Sequence, residues 1–376
     1  MAGIYIHIPF CRALCHYCNF YFSLSEERKE QMSSAILKEI ELSHHYFQQS
    51  DKITTLYIGG GTPTLYSVEK LQQFIEKVKS TFGVSDFEEL TIEANPDDLT
   101  DDYLEKLSKT DCNRLSIGVQ SFNNDILKFL NRRHDASEAI TAIRNARQHG
   151  FSNISIDLIY GIPSQSLEML SEDLQTAISL SPEHLSAYHL TIEKGSLFAK
   201  MEQQGKFTPI EESESEKHFA LVSGTLRSAG YDHYEVSNFA KPNHKAIHNS
   251  SYWRAKPYLG IGPSAHSFDG RNVRRWNVAS NIAYLRAIEN STPYYQSETL
   301  TPVDRYNEDI MTMLRTSVGV DTSYIEATYG APLKRELMKS SQKFIATSEI
   351  IAEGTTLRIS PENFLKSDYI ISSLFM

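Results

Sequence analysis

Three of the chain's four cysteines stand together in the stretch HIPFCRALCHYCNF, as Cys11, Cys15 and Cys18. Three thiolates on one short loop can reach neighbouring corners of a cubic [4Fe–4S] cluster, for which Cys is the usual ligand. The fourth iron then stays open for a small molecule, so the missing fourth cysteine can be the functional point. Other chemistries compete for the same residues. Structural zinc takes four ligands, and His7 or His16 would have to complete a Cys₃His set. His16, between Cys15 and Cys18, is spaced too tightly for the usual ligand pair. Covalent haem attachment needs C-x-x-C-H, and Asn19 follows Cys18. Three buried thiols without metal remain as a third alternative. Phe10, Leu14, Tyr17 and Phe20 bracket the thiols and would exclude water from a redox centre.

A second set of residues falls where strands should end. YIGGGTPT, residues 57–64, offers Gly60, Gly61 and Thr62. Glycines there let backbone groups approach a ligand, and the Lys-Ser/Thr of a P-loop is missing. TIEANP places Glu93, a carboxylate able to accept from an ammonium or a ribose hydroxyl. LSIGVQSF places Gln120, an amide that bonds both ways. FLNRRHD offers Arg132, a guanidinium fork suited to a carboxylate, and ISIDLIYGIP offers Asp157 as a ribose partner. Each alone reads as an ordinary loop group. Together, after four successive strands, one Arg facing two acids suits a zwitterionic ligand.

The elements that must hold these residues follow from hydrophobic period. Short β-rich runs at 3–8, 53–58, 90–94, 115–119, 154–159 and 185–190 alternate with helical patterns at 26–49, 67–82, 103–107, 125–130, 136–149 and 167–180. That rhythm predicts parallel βαβ units with right-handed crossovers, and ligands beyond the carboxyl ends of the strands. Six units fall short of a full eight-stranded barrel, which favours an open partial barrel or a wound sheet. From about residue 200 the rhythm breaks. A Glu- and Ser-rich helix at 211–229, an aromatic segment at 248–268 and a helical tail with a strand at 357–359 follow.

Of the 376 residues 40% are hydrophobic, enough for a packed core. The net charge of −10 argues against a general nucleic-acid binder. The tail from residue 331 holds six Lys/Arg against five Asp/Glu, so its winged-helix-like pattern reads as a packing module. No apolar run is long enough to span a bilayer, and the N-terminus lacks a secretory pattern. Clustered thiols in a reducing compartment suggest metal or catalysis, whereas Cys112 reads as a lone buried thiol.

C-x-x-x-C-x-x-C is similar to the signature of the radical S-adenosylmethionine (SAM) superfamily. In that family the methionine amine and carboxylate of SAM chelate the open iron, and an electron from the cluster cleaves the sulfonium to a 5′-deoxyadenosyl radical. The set HIPFCxxxCxYC, GGGTPT, ExNP, RLSxGVQSF and IDLIYGIP, spread over most of the first 195 residues, resembles the coproporphyrinogen dehydrogenase branch, with its HemN-like oxidases and HemW-like haem chaperones. The resemblance implies an α/β fold with an open (β/α)₆ barrel over residues 1–200, a flanking segment at 201–300 and a smaller C-terminal module at 301–376. It also places Tyr5 and Tyr17 at the cofactor site, with Gly60, Gly61 and Thr62 against the methionine part.

Two departures separate the chain from the oxidases. They carry a further cysteine two residues after the third ligand, where this chain has Phe20, and an extension before the first strand, whereas Cys11 lies ten residues from Met1. HNSSYW, residues 248–253, matches the H-N-x-x-Y-W element of the chaperones. His248 would be an axial ligand for haem iron, Tyr252 and Trp253 flat apolar area, and Asn249 part of the same element. If helical, His248 and Tyr252 share a face. The competing reading is a core aromatic cluster with a satisfied histidine. His266 is a weaker candidate ligand. The expectation is a cytoplasmic haem chaperone with cluster, SAM and haem, delivering to apo-haemoproteins, some of them membrane-bound. Homodimerisation and transient membrane contact stay open. An oxygen-independent coproporphyrinogen III dehydrogenase and a zinc-stabilised scaffold are the alternatives.

Overall fold

Strand and helix alternate through the first half of the computed structural model, which describes residues 1–376. The strands are β1 (Ala2–Ile8), β2 (Ile53–Gly60), β3 (Glu89–Ala94), β4 (Arg114–Gln120), β5 (Ile154–Tyr160) and β6 (His184–His189). Each pairs in parallel with the next. Between them run α1 (Lys29–Leu42), α2 (Val68–Phe82), α3 (Asp101–Leu107), α4 (Asn124–Phe129), α5 (Ala136–Gln148) and α6 (Leu167–Ser179). Local chemistry sets the helix ends. The Ser67 side chain accepts from Lys70 N–H to start α2, and Gly83, at φ 67°, stops it in the left-handed region. A reciprocal Asp135–Glu138 pair starts α5. The predicted helix at 26–49 is shorter, ending at Leu42, two residues past Ile40, the last apolar residue of its buried face.

The six strands largely alternate. Ile4, Ile6, Ile8, Leu56, Ile58, Leu90, Ile92, Leu115, Ile117, Ile156 and Leu185 are buried in the main core cluster, which also takes in Leu71, Phe74 and Ile75 of α2. Burying one such side chain stabilises by about 1.5–3 kcal/mol. The opposite parity is polar: Tyr57, Thr91, Glu93, Ser116, Asp157, Ser186 and Tyr188. These residues face the barrel interior, and several line its cavity.

The barrel is open, as expected: β1 and β6 do not pair. After α7 (Leu197–Gln203) and α8 (Glu212–Ser228), the chain adds β7 (Asp232–His233) and β8 (Asn238–Ala240) beyond β6. Then come α9 (Ile247–Trp253), β9 (Tyr258–Ile261), β10 (His266–Phe268), β11 (Val273–Asn277), α10 (Asn281–Glu289) and β12 (Tyr295–Thr299). β9 lies parallel to β1, with Gly3 opposite Tyr258, and β10 to β12 continue antiparallel. The sheet reaches 12 strands. The predicted aromatic segment at 248–268 is thus a helix and two strands. The tail has α11 (Pro302–Leu314) and further helices around a three-stranded sheet that contains the predicted strand near 357. No helix is long and apolar enough to cross a membrane.

Candidate functional site

The thiol loop leaves β1 and is pinned at both ends. Ser23 N–H donates to Pro9 O at 2.8 Å, and Cys11 N–H to Ser23 O at 3.0 Å. Its far side rests on the α4 end, where Asn131 donates to Leu14 O at 2.6 Å and His16 Nδ1 lies 2.8 Å from Phe129 O. The three thiols are free and half-buried, and all open on one cavity of about 400 Å³ at the carboxyl ends of the strands. Burial pushes the Cys11 thiol up to about 12 and raises Cys18 likewise. Such thiols become thiolates when a cation takes the proton's place. No three His, Cys, Asp or Glu side chains close up tightly enough to hold a single metal ion. Both nitrogens of His7 are committed, to Tyr5 OH and Tyr21 O, and His16 is held by Phe129. His7 is thus no fourth ligand, and with no three candidate ligands drawn together a Cys₃His zinc set is not assembled, whereas three separated thiols around one cavity fit a cluster.

The glycine turn faces the thiols. Gly60 has φ 110°, and a Cβ on Gly61 would stand 2.5 Å from Phe10 O and 2.9 Å from Cys11 Sγ. Only glycine leaves that space. Thr62 Oγ1 reaches Cys11 Sγ at 3.7 Å. Glu93 accepts from Tyr57 OH at 2.7 Å and from Gly60 N–H at 3.0 Å. Burial raises its pKa to about 7 in spite of both bonds. Asp157, with Ser116 Oγ at 3.4 Å from each carboxylate oxygen, is also raised, chiefly by burial. Gln120 ends β4 with φ 73°, where the register against β5 shifts. A non-glycine residue held in that region is strained, a condition common at ligand sites.

Gly60, Gly61, Thr62, Tyr17, Glu93, Gln120, Arg132 and Asp157 all line the cavity with the thiols; Tyr5 does not, its hydroxyl being paired with His7 below. Arg132 departs from its predicted role as a carboxylate fork. Nη2 is spent on Asn95 Oδ1 at 2.6 Å and Gly118 O at 2.7 Å, and Nη1 contacts Cys15 Sγ at 3.3 Å and Tyr17 OH at 3.4 Å. Only its Nε is buried without a partner. Arg132 ties the thiol loop to the barrel. Sequence reasoning missed Tyr57, Asn95 and Tyr188. Strand parity would have found Tyr57, two residues before Gly59 on the same face.

The second predicted element lies at the opposite end of the barrel. α9 covers the amino ends of β1 and β2. The Glu89 carboxylate holds its start, accepting from Ile247 N–H at 2.8 Å and His248 N–H at 2.9 Å. His248 is 1% exposed. Nδ1 is 2.8 Å from Thr55 Oγ1 and Nε2 is 2.8 Å from Tyr252 OH, so the predicted shared face is present but both nitrogens are used. Burial, then the charge of Arg114, lowers its pKa to about 3. The open imidazole expected at 248 is absent from this conformation. Asn249, Tyr252 and Trp253 are half-buried, with the Arg315 guanidinium 5.6 Å over the Trp253 ring. His266 is exposed, near-parallel to Trp276 at 6.3 Å. Cys112 is buried, its thiol donating to Arg114 O at 3.4 Å, as expected for a lone thiol.

Known proteins are similar to this chain. The model of the radical SAM superfamily matches residues 5–177. Heme chaperone HemW of Bacillus subtilis is 37% identical over 338 residues, 89% of this chain and 88% of its own. The mitochondrial radical S-adenosyl methionine domain-containing protein 1 of Danio rerio is 34% identical over 388 residues, spanning 100% of this chain and 87% of its own. Among solved structures, coproporphyrinogen III oxidase (HemN) of Escherichia coli, a radical SAM enzyme, superposes with a TM-score of 0.84 over 100% of this chain and 90% of its own. At 23% identity that likeness speaks for the fold.

Proposed function

The chain belongs to the HemW family of the radical SAM superfamily, and from that premise we propose that it is a haem chaperone, binding haem and passing it to haemoproteins that lack it. The observation that carries the reading is likeness at 37% identity, over nearly nine-tenths of both chains, to a protein named for that activity. Phe20 in place of the oxidases' extra cysteine supports it.

Cys11, Cys15 and Cys18 hold three irons of a [4Fe–4S] cluster in this reading. Bound together, cluster and SAM supply one-electron chemistry. The chain's own residues prepare the place. Gly60, Gly61 and Thr62 admit the methionine end, Glu93 accepts from an N–H of its amine, Asp157 accepts from a ribose hydroxyl, and Gln120 and Tyr17 close the walls. Arg132 fixes the loop that carries Cys15. Residues 1–200 form the barrel unit, 201–300 the flanking unit with the haem element, and 301–376 the C-terminal unit.

His248, with Asn249, Tyr252 and Trp253, takes haem only when α9 lifts. The imidazole then leaves Thr55 and Tyr252, and Glu89 releases two backbone N–H groups. Haem and apo-haemoproteins are the partners, some in membranes; the setting is cytoplasmic, and a homodimer fits the reading. The test is anaerobic. Reconstituted protein with SAM is given haem, then an apo-haemoprotein, and in parallel coproporphyrinogen III with a reductant. Stoichiometric haem binding and transfer are expected. Decarboxylation of the porphyrinogen without haem transfer would replace this reading with the oxidase.

A further inference from the structure

The barrel interior holds a cation that the site above does not use. Arg114 opens β4, is 1% exposed and is the largest fully buried side chain in the molecule. A guanidinium carries five N–H donors, and burying it without close acceptors is costly. Arg114 makes one long bond, Nη1 to Thr91 Oγ1 at 3.5 Å. Its Nε has no partner and stands 4.0 Å from Glu89 Oε2, a carboxylate already committed to the start of α9. Arg114 is therefore not half of a tight ion pair.

Register places it under the cofactor pocket. Arg114 pairs with Thr91, and two residues on, Ser116 pairs with Glu93 on the same interior face. Ser116 in turn stands beside Asp157. By register the guanidinium lies one residue layer below Glu93, while Asp157, opposite Gly118, stands a layer higher again. Glu93 also faces Tyr5, Tyr57, Asp157, Tyr188 and Cys18; Asp157 also faces Tyr57, Tyr188 and Arg132. These neighbours are mostly acidic or neutral, and Arg132, the other cation, has its fork spent on the loop. Burial drives both carboxylates toward the neutral form, and Arg114 opposes it at each.

We propose that Arg114 is a positioning residue for SAM: its charge, deeper in the barrel than Glu93 and Asp157, keeps both carboxylates ionised for the cationic, hydroxyl-bearing cofactor above them. The inference rests on SAM being the pocket's ligand. A diffuse charge answerable to two acids explains why the guanidinium has no short bond to either.

The experiment is calorimetric SAM binding to anaerobically reconstituted protein from pH 6 to 9, for the natural chain, Arg114→Met, Arg114→Gln and Arg114→Lys, with iron content and circular dichroism measured on each. In the two neutral variants the pH of half-maximal affinity moves up by about one unit or more, so affinity at low pH drops about tenfold and recovers as pH rises. Arg114→Lys keeps the natural midpoint. If Arg114→Met fails to fold, Arg114→Gln, which still reaches Thr91, carries the test. Unchanged midpoints, or a drop equal at every pH, would reduce Arg114 to a packing residue. A natural chain that binds no SAM at any pH would instead take down the pocket assignment itself.

Discussion

The two ends of the barrel are built from the same strands and differ in how they leave their candidate ligand side chains. At the mouth, three thiols are free, Arg132 Nε is orphaned and Gln120 is held in a left-handed conformation. At the floor, His248 has both nitrogens bonded and its helix is anchored by a carboxylate. Unspent bonding capacity inside a protein is expensive and persists where a ligand repays it. The mouth is thus prepared for a guest. At the floor the histidine is satisfied without one, so a ligand reaching His248 must displace the protein's own contacts.

The largest effect that would sharpen this contrast is at the mouth. Cys15→Ala should abolish cluster assembly, with iron and sulfide falling to background and the visible absorption lost. The loop lies outside the core, so the circular dichroism spectrum and cooperative unfolding should survive. A variant that keeps its iron would mean that the three thiols are not a set.

At the floor, His248→Ala should weaken haem binding and leave the cluster spectrum unchanged. It also removes a buried ring with two hydrogen bonds, so a loss of about 2–4 kcal/mol in urea unfolding is expected. Thr55→Val separates the two effects. It strips only the Nδ1 partner, destabilising by about 1–2 kcal/mol, but makes α9 easier to lift. Haem should bind more tightly or faster to Thr55→Val than to the natural chain. Slower, weaker binding would show that the closed floor is itself the binding-competent state.

How much of this was legible in the sequence follows the range of the contacts involved. The cysteine spacing, the glycine turn and the alternating strands are local, and they predicted the open barrel and the cavity's lining. The contacts of Arg132 were not legible because its acceptors, Asn95 and Gly118, are set by the meeting of separate strands. His248 looked like an available ligand because its partner Thr55 lies 193 residues earlier in the chain. The pairing of β9 with β1 joins residues as remote as Gly3 and Tyr258, and no local period announces it. Arg114 sat inside a quoted motif, but its role depends on which layer of the barrel it occupies.

Acid titration probes the floor with a smaller expected effect. The His248 pKa is lowered to about 3 in the fold, whereas an unfolded imidazole protonates near 6.5. Between those values the unfolded chain binds the extra proton. The stability owed to neutral His248 is therefore full above about pH 6.5 and is lost as pH falls toward 3. Glu39 and Glu93, both raised to about 7 by burial, run the other way: their protonated forms favour the fold, and that advantage is lost as pH rises from 4.5 to 7. Comparing the natural chain with His248→Gln cancels the carboxylates. The stability difference should shrink by about 2 kcal/mol from pH 6.5 to 5, measured by urea unfolding. A difference independent of pH would mean that water reaches the imidazole and the floor is already open.

The smallest effect tests whether the two ends are separate at all. Cys112 is the one cysteine away from the mouth, buried at 8% exposure, two residues before Arg114 and with a single long bond to its carbonyl. Burial pushes its thiol up to about 12, and it stands apart from the three thiols that line the cavity. Cys112→Ala removes one sulfur from a packed site and should cost about 1 kcal/mol, with iron content and SAM affinity unchanged. Because Arg114 is held by its backbone in β4 and not by that thiol, its charge should stay in place. Loss of SAM affinity in Cys112→Ala with normal iron would show that strain at the start of β4 reaches the pocket, and that mouth and floor are one mechanical unit.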